Sequence, residues 1–168
     1  MLPYRFGDSR ILEVLVVHPG GPFWVNRDDG AWSIAKGEYG PGQDPQEAAD
    51  REFAEELGQK SPSGPRIDLG ELRQPSGKLI RVWAVEGDLH VENIVSNEFE
   101  MEWPPHSGKM ASWPEVDRAA WMSVASARRK LSKGQVGFVD RLVMQLQVAE
   151  TTLKQASPRP ASGVPSRS

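Results

Sequence analysis

Three glutamates, Glu52, Glu55 and Glu56, crowd one short stretch of an otherwise mixed sequence. On a helix, at about 100° per residue, they fall at i, i+3 and i+4 and share one strip. Ala49, Phe53 and Leu57 fall at i, i+4 and i+8 on the neighbouring strip and predict the face that packs on a core. Each close like-charge pair costs roughly 0.2–0.5 kcal/mol on an isolated helix, and more where water is partly excluded. A helix packed by the adjacent face therefore calls for a compensating cation, and oxygen donors suit a hard divalent ion such as Mg²⁺.

Local chemistry sets the limits of that helix. Asp44 is a good N-cap, Pro45 suits the first helical position, and Glu47 stands three after the cap, as in a capping box. Gly58 predicts the end. Upstream, Gly37, Gly40, Pro41 and Gly42 describe a tight loop whose backbone carbonyls can turn inward and complete an oxygen-only site. Arg51 can reach Glu55 at i+4 and Glu47 at i−4, which makes it a residue that orients carboxylates.

Composition narrows the chemistry further. The chain has 168 residues, 38% of them hydrophobic, enough for one core with a tail left over. One domain over residues 1–150 and a disordered Pro/Ser-rich tail over 151–168 are expected. Without cysteine there is no thiolate nucleophile and no Cys-type zinc site, and three scattered histidines make a poor metal site. Carboxylates must do any metal work. A net charge of −3 argues against a nucleic-acid partner. No apolar run reaches about 18 residues and the first ten residues lack a signal-peptide core, so a cytoplasmic protein without a membrane partner is expected.

The stretch Gly37 to Gly58, GEYGPGQDPQEAADREFAEELG, resembles the Nudix box: G, five residues, E, seven residues, then R-E-U-x-E-E-x-G-U with U a bulky apolar residue. Gly37, Arg51, Glu52, Phe53, Glu55, Glu56 and Gly58 fall on the pattern. Gln43 replaces its first glutamate and Gln59 its final apolar residue. Trp32 to Gly37 resembles the W-x-x-P-K-G entry to that box, with Ala35 in the proline position.

The rest of the chain must build the support. Ile11 to Val17 predicts a buried strand closed by the turn His18 to Pro22, with Met1 to Arg5 a short partner. Phe23-Trp24 and Ala31 to Ile34 flank a polar turn and predict a hairpin or loop leading into a strand. Ile67 to Arg73 and Lys78 to Val85 predict a hairpin, with Trp83 in the core. Asn97 to Pro114 reads as an irregular loop over a pocket, and Glu115 to Trp121 as a strand. Ser126 to Leu131 and Val136 to about Val148 predict helices, with Phe138, Leu142 and Leu146 as a core stripe. His18, at a strand end beside a loop, could touch a ligand or make a local turn hydrogen bond; Lys36 could approach a phosphate or be solvated, and Arg73 and Arg81 are candidate phosphate contacts.

This order suggests α+β packing, and the resemblance implies the Nudix fold, an α/β/α sandwich with a mixed central sheet. It also implies Mg²⁺-dependent hydrolysis, with Mn²⁺ as a substitute ion, of a diphosphate linkage in a nucleoside di- or triphosphate or a dinucleoside polyphosphate. Glu52, Glu55, Glu56 and the Gly37 carbonyl would be metal ligands, Glu52 doubling as base and Arg51 acting beside it. A further glutamate ahead of an apolar-Trp segment joins the site in this family as ligand or base; Glu115 is placed best, with Glu98, Glu100 and Glu102 as rivals. The expected partner is a small nucleotide; substrate identity and oligomeric state, a homodimer included, are left open. The alternative is a Nudix-fold protein that binds a nucleotide with weak turnover or none.

Overall fold

A computed structural model describes residues 1–36 and 40–156. Its five-stranded mixed sheet has the order β3-β4-β1-β2-β7. The strands are β1 (Leu2–Phe6), β2 (Leu12–Pro19), β3 (Arg66–Arg73), β4 (Leu79–Glu86) and β7 (Val116–Ser123). A separate two-stranded sheet is made by β5 (Glu98–Glu102) and β6 (Met110–Pro114). The helices are α1 (Pro45–Leu57), α2 (Val124–Lys130) and α3 (Val136–Ala156).

The strand alternation explains the sandwich. In β2, Val14 and Val16 point to one face with Phe138, Val139 and Leu142 of α3, while Leu15 and Val17 point to the other with Phe53 and Leu57 of α1. β4 repeats the division: Ile80, Val82 and Ala84 face α3, and Trp83 and Val85 face α1. Both faces of these strands are buried, which is why they read as nearly continuous apolar runs. The α+β, α/β/α expectation holds, and Trp83 lies in the core as expected.

The first segment has a larger role than its length predicts. β1 pairs antiparallel with β2 and parallel with β4, so it is the middle strand of the sheet. Met1 lies in the α1-side core, and the terminal ammonium donates to Ala35 O at 2.6 Å.

Three sequence expectations need correction. Ala31 to Ile34 is no strand; it makes single bridges only, Ser33 with Val17 and Trp32 with Leu131. Side chains and distant backbone take up its remaining polar groups. Asn97 to Pro114 is not irregular but forms the β5–β6 hairpin, with Phe99 opposite Trp113 and Met101 opposite Ala111. Helix α3 runs on to Ala156, past the boundary drawn at 150, because Gln147 to Lys154 keep helical chemistry, including a Glu150–Lys154 pair at i, i+4.

Candidate functional site

Helix α1 begins and ends as its sequence dictates. Asp44 accepts from the backbone N–H groups of Gln46 and Glu47, Pro45 opens the first turn, and Gly58 closes the last in the left-handed conformation at φ 66°. A side chain at Gly58 would also run into Val95 O at 2.6 Å, so both conformation and space require glycine there. Ala48, Ala49, Phe53 and Leu57 are buried. That orientation leaves Glu52 and Glu56 half-buried and Glu55 exposed along the adjacent strip.

The carboxylates divide into two environments. Arg51 Nη2 lies 3.1 Å from Glu52 Oε1, and its Nε lies 3.9 Å from Glu55 Oε1. The arginine thus braces the strip, through Glu52 rather than Glu47 in addition to the expected Glu55. Glu56 points to the interior. Burial pushes its carboxyl up from 4.5 to about 7, against the Lys36 charge, the terminal ammonium and a hydrogen bond from the Lys36 backbone N–H; the nearby Glu115 charge adds to the rise. Lys36, the residue just before Gly37, therefore acts on the site through Glu56. Burial holds the terminal ammonium down at about 5.

Glu115 is exposed, and its backbone links the surrounding loops. Glu115 N–H donates to Asn97 O at 2.8 Å, Gly20 N–H donates to Glu115 O at 3.0 Å, and Asn97 N–H donates to Glu55 O at 3.2 Å. This chain of bonds joins α1, the hairpin base and the loop after β2. Its rivals lie outward on the hairpin: Glu98 accepts from Ser112 Oγ, Glu102 accepts from Gly108 N–H, and Glu100 is exposed. Gly37 lies outside the described residues. Gln43, in the place of the pattern's first glutamate, accepts from Gly40 N–H at 2.9 Å and braces the glycine loop with its amide.

The entry to the box is held from afar. Gln135, buried beside α3, accepts the Ile34 N–H at 2.7 Å through its side-chain carbonyl. No local pattern announces such a residue. His18 is also buried: Nδ1 faces Asp117 Oδ1 and Nε2 faces Arg27 O, each at 2.8 Å. Both ring nitrogens are thus engaged, one by a side chain of β7 and one by the backbone of the 20–30 loop. His18 is thus the clamp that ties the 20–30 loop to β7. Arg73 and Arg81 serve β3 and β4, donating to Gly77 O and to Asp68 respectively.

The donor set is all oxygen, in keeping with a hard divalent cation. A half-buried Glu56 raised by burial and by Glu115 is the kind of group such a cation would stabilise in its ionised form. Among the described residues no three acidic or histidine side chains stand together as a ligand group. No described helix is long and apolar enough to cross a membrane.

The fold has relatives among solved structures. An Ap4A hydrolase from C. elegans, in a binary complex, superposes with a TM-score of 0.56 at 17% identity, over 88% of this chain and 96% of that one. The NUDIX domain of Shewanella oneidensis NrtR, complexed with ADP ribose, gives 0.56 at 15% identity, over 86% and 84%. A MutT protein from Methanosarcina mazei Go1 gives 0.54 at 16% identity, over 87% and 92%. No match is found among curated protein sequences. The family model for the NUDIX domain matches residues 7–142, a span holding the box helix, the strands from β2 to β7, α2 and the start of α3. The chain belongs to the Nudix family.

Proposed function

We propose that the protein is a Mg²⁺-dependent pyrophosphohydrolase, with Mn²⁺ able to substitute, that cleaves a diphosphate linkage in a nucleoside di- or triphosphate or a dinucleoside polyphosphate. The observation that carries this reading is Glu56, a half-buried box carboxylate raised to about 7 beside a second carboxylate, Glu115. A carboxyl poised there at neutral pH is costly for stability and useful for binding a cation.

Glu52, Glu55, Glu56, Glu115 and the Gly37 carbonyl would hold the ion. When bound, it supplies positive charge against the oxygens of the reacting diphosphate. Glu52, half-buried and oriented by Arg51, is the base: it takes a proton from a water as the water oxygen bonds to phosphorus. The bridging P–O bond breaks, and the leaving phosphate or nucleotide keeps its electron pair.

The test is turnover of a panel of nucleoside triphosphates, dinucleoside polyphosphates and nucleotide sugars with Mg²⁺ or Mn²⁺, beside Glu55→Gln and Glu56→Gln. Cleavage by wild type, with a loss of about a hundredfold or more in the variants, is expected when transition-state charge stabilisation is removed. No turnover, with thermal stabilisation by nucleotide plus metal, would replace the enzyme with a nucleotide-binding protein.

A further inference from the structure

Helix α1 rests on the sheet through Ala49, Phe53 and Leu57, all buried and apolar. Such contacts hold a helix down but are non-directional, so they do not by themselves fix its rotation about its own axis. Rotation matters at this helix. At about 100° per residue, Asp50 and Glu56, three residues before and three after the fully buried Phe53, lie about 60° to either side of it. A turn of α1 that lifts Asp50 away from the sheet drives Glu56 further in, and the reverse turn draws Glu56 out.

The Asp50 flank is held by one arginine. Arg66, the first residue of β3, donates from Nη2 to Asp50 Oδ1 at 3.0 Å and to Ser61 Oγ at 2.9 Å, and from Nη1 to Pro62 O at 2.6 Å. Ser61 Oγ in turn donates to Asp50 Oδ1. The Arg66 side chain is 16% exposed, and its backbone is fixed to the sheet by pairing with Val85 of β4. The turn it grips is wedged as well, since a side chain at Gly87, just past β4, would run into Pro62. The last turn of α1 has its own ties, from Val95 N–H to Leu57 O and from Asn97 N–H to Glu55 O. A largely buried ion pair returns little net stability, because desolvation offsets the attraction. What the guanidinium fork supplies is direction.

We propose that Arg66 is a positioning residue of the site: through Asp50 it sets the rotation of α1, and so the depth at which Glu56 meets a divalent cation. The inference rests on the metal-dependent reading above and adds to it a residue of β3, beyond the box. Arg66 touches neither ion nor substrate in this role, and acts only through the helix.

Mn²⁺ binding to the full chain, followed by paramagnetic water relaxation, tests this beside chemical denaturation of the same proteins. Arg66→Met and Asp50→Ala should each weaken Mn²⁺ about tenfold, the lower end of what is lost when groups that orient metal ligands are removed. The double variant should be weaker than either single variant by no more than about twofold, because both substitutions cut the same tie. Val139→Ala is the control for stability alone: it opens a cavity on the opposite face of the sheet, and should destabilise the fold while leaving Mn²⁺ affinity within about twofold of wild type. Unchanged affinity in both Arg66→Met and Asp50→Ala overturns the proposal and leaves the metal-dependent reading standing. So does a loss in Val139→Ala equal to theirs, or a double variant in which the two losses multiply. Wild type that binds no Mn²⁺ overturns both.

Discussion

Gln135 and Ile34 are joined by a 2.7 Å hydrogen bond across 101 positions of sequence, and through it the helical layer holds the strand-like entry to the box. The entry segment has no continuous strand partner, so this amide stands in for a ladder bond. Replacing Gln135 with Leu keeps the volume roughly and strands the buried Ile34 N–H, which costs about 1–3 kcal/mol. Urea denaturation should show that loss with an unchanged slope against denaturant, while a variant of equal stability would refute the role.

The raised carboxyl of Glu56 gives the fold a pH dependence of known sign. Its ordinary value is 4.5 and its folded value about 7, so between these the folded chain holds more protons than the unfolded chain. The Glu56 contribution to stability in metal-free buffer therefore falls as pH rises from about 4.5 through about 7, and is level above. The terminal ammonium, at about 5 against an ordinary 8.0, contributes the opposite slope from about 5 to 8. Glu56→Gln removes the first effect and also the Glu56 charge that supports the terminal ammonium, so the wild-type and variant curves should part most across the lower window, where only the Glu56 slope is lost. Chemical denaturation from pH 4 to 8 in chelator checks it, and parallel curves would refute it.

Metal affinity should carry the same proton. An ion bound at Glu56 must displace it, so Mg²⁺ affinity should weaken by up to about tenfold per unit as pH falls below about 7 and level off above. Titration of Mn²⁺ followed by paramagnetic water relaxation measures this. An affinity flat from pH 5 to 8 would remove Glu56 from the ligand set.

Arg51 separates bracing from folding. The residue is 46% exposed on its side chain and its partners are 24% and 46% exposed, so Arg51→Ala should change stability by about 0.5 kcal/mol or less. The freed carboxylates lose their orientation, and kcat/KM should fall on the order of tenfold to a hundredfold. A large loss of stability, or unchanged kinetics, would show the bridge to be structural or idle.

At Gly20 the reason for glycine is space. A methyl there meets Pro114 O and forces the loop away from β6, breaking the Gly20–Glu115 hydrogen bond. Gly20→Ala should cost about 1–3 kcal/mol, the usual range for overpacking. It should also lower kcat/KM by shifting Glu115, whose backbone it holds, and thermal unfolding alongside steady-state kinetics reads both effects.

Much of the positioning helix is legible in the sequence. The Asp44 cap, Pro45, the terminal Gly58 and the Ala49-Phe53-Leu57 stripe act over one to four residues, where backbone geometry leaves little choice. The strands of the sandwich are legible for the same reason, since alternation of side chains is a property of the extended chain itself. The β5–β6 hairpin also leaves a signal, a period of two over Phe99, Met101 and Trp103 followed by Pro104 to Gly108, but interleaved glutamates and prolines mask it as a loop.

Other features come from long-range packing. Nothing near Met1 to Phe6 says that it will be the central strand, because pairing partners lie on other segments. Glu52, Glu55 and Glu56 are equal as residue types, yet one is driven to the interior and two are held by Arg51. Desolvation depends on what packs around a group and has no one-dimensional trace. The same holds for Gln135 and His18, whose partners lie far along the chain. Residue types and short-range spacing thus name the groups that could do the chemistry and the helix that carries them. Their burial and their charge arise only when distant segments pack together.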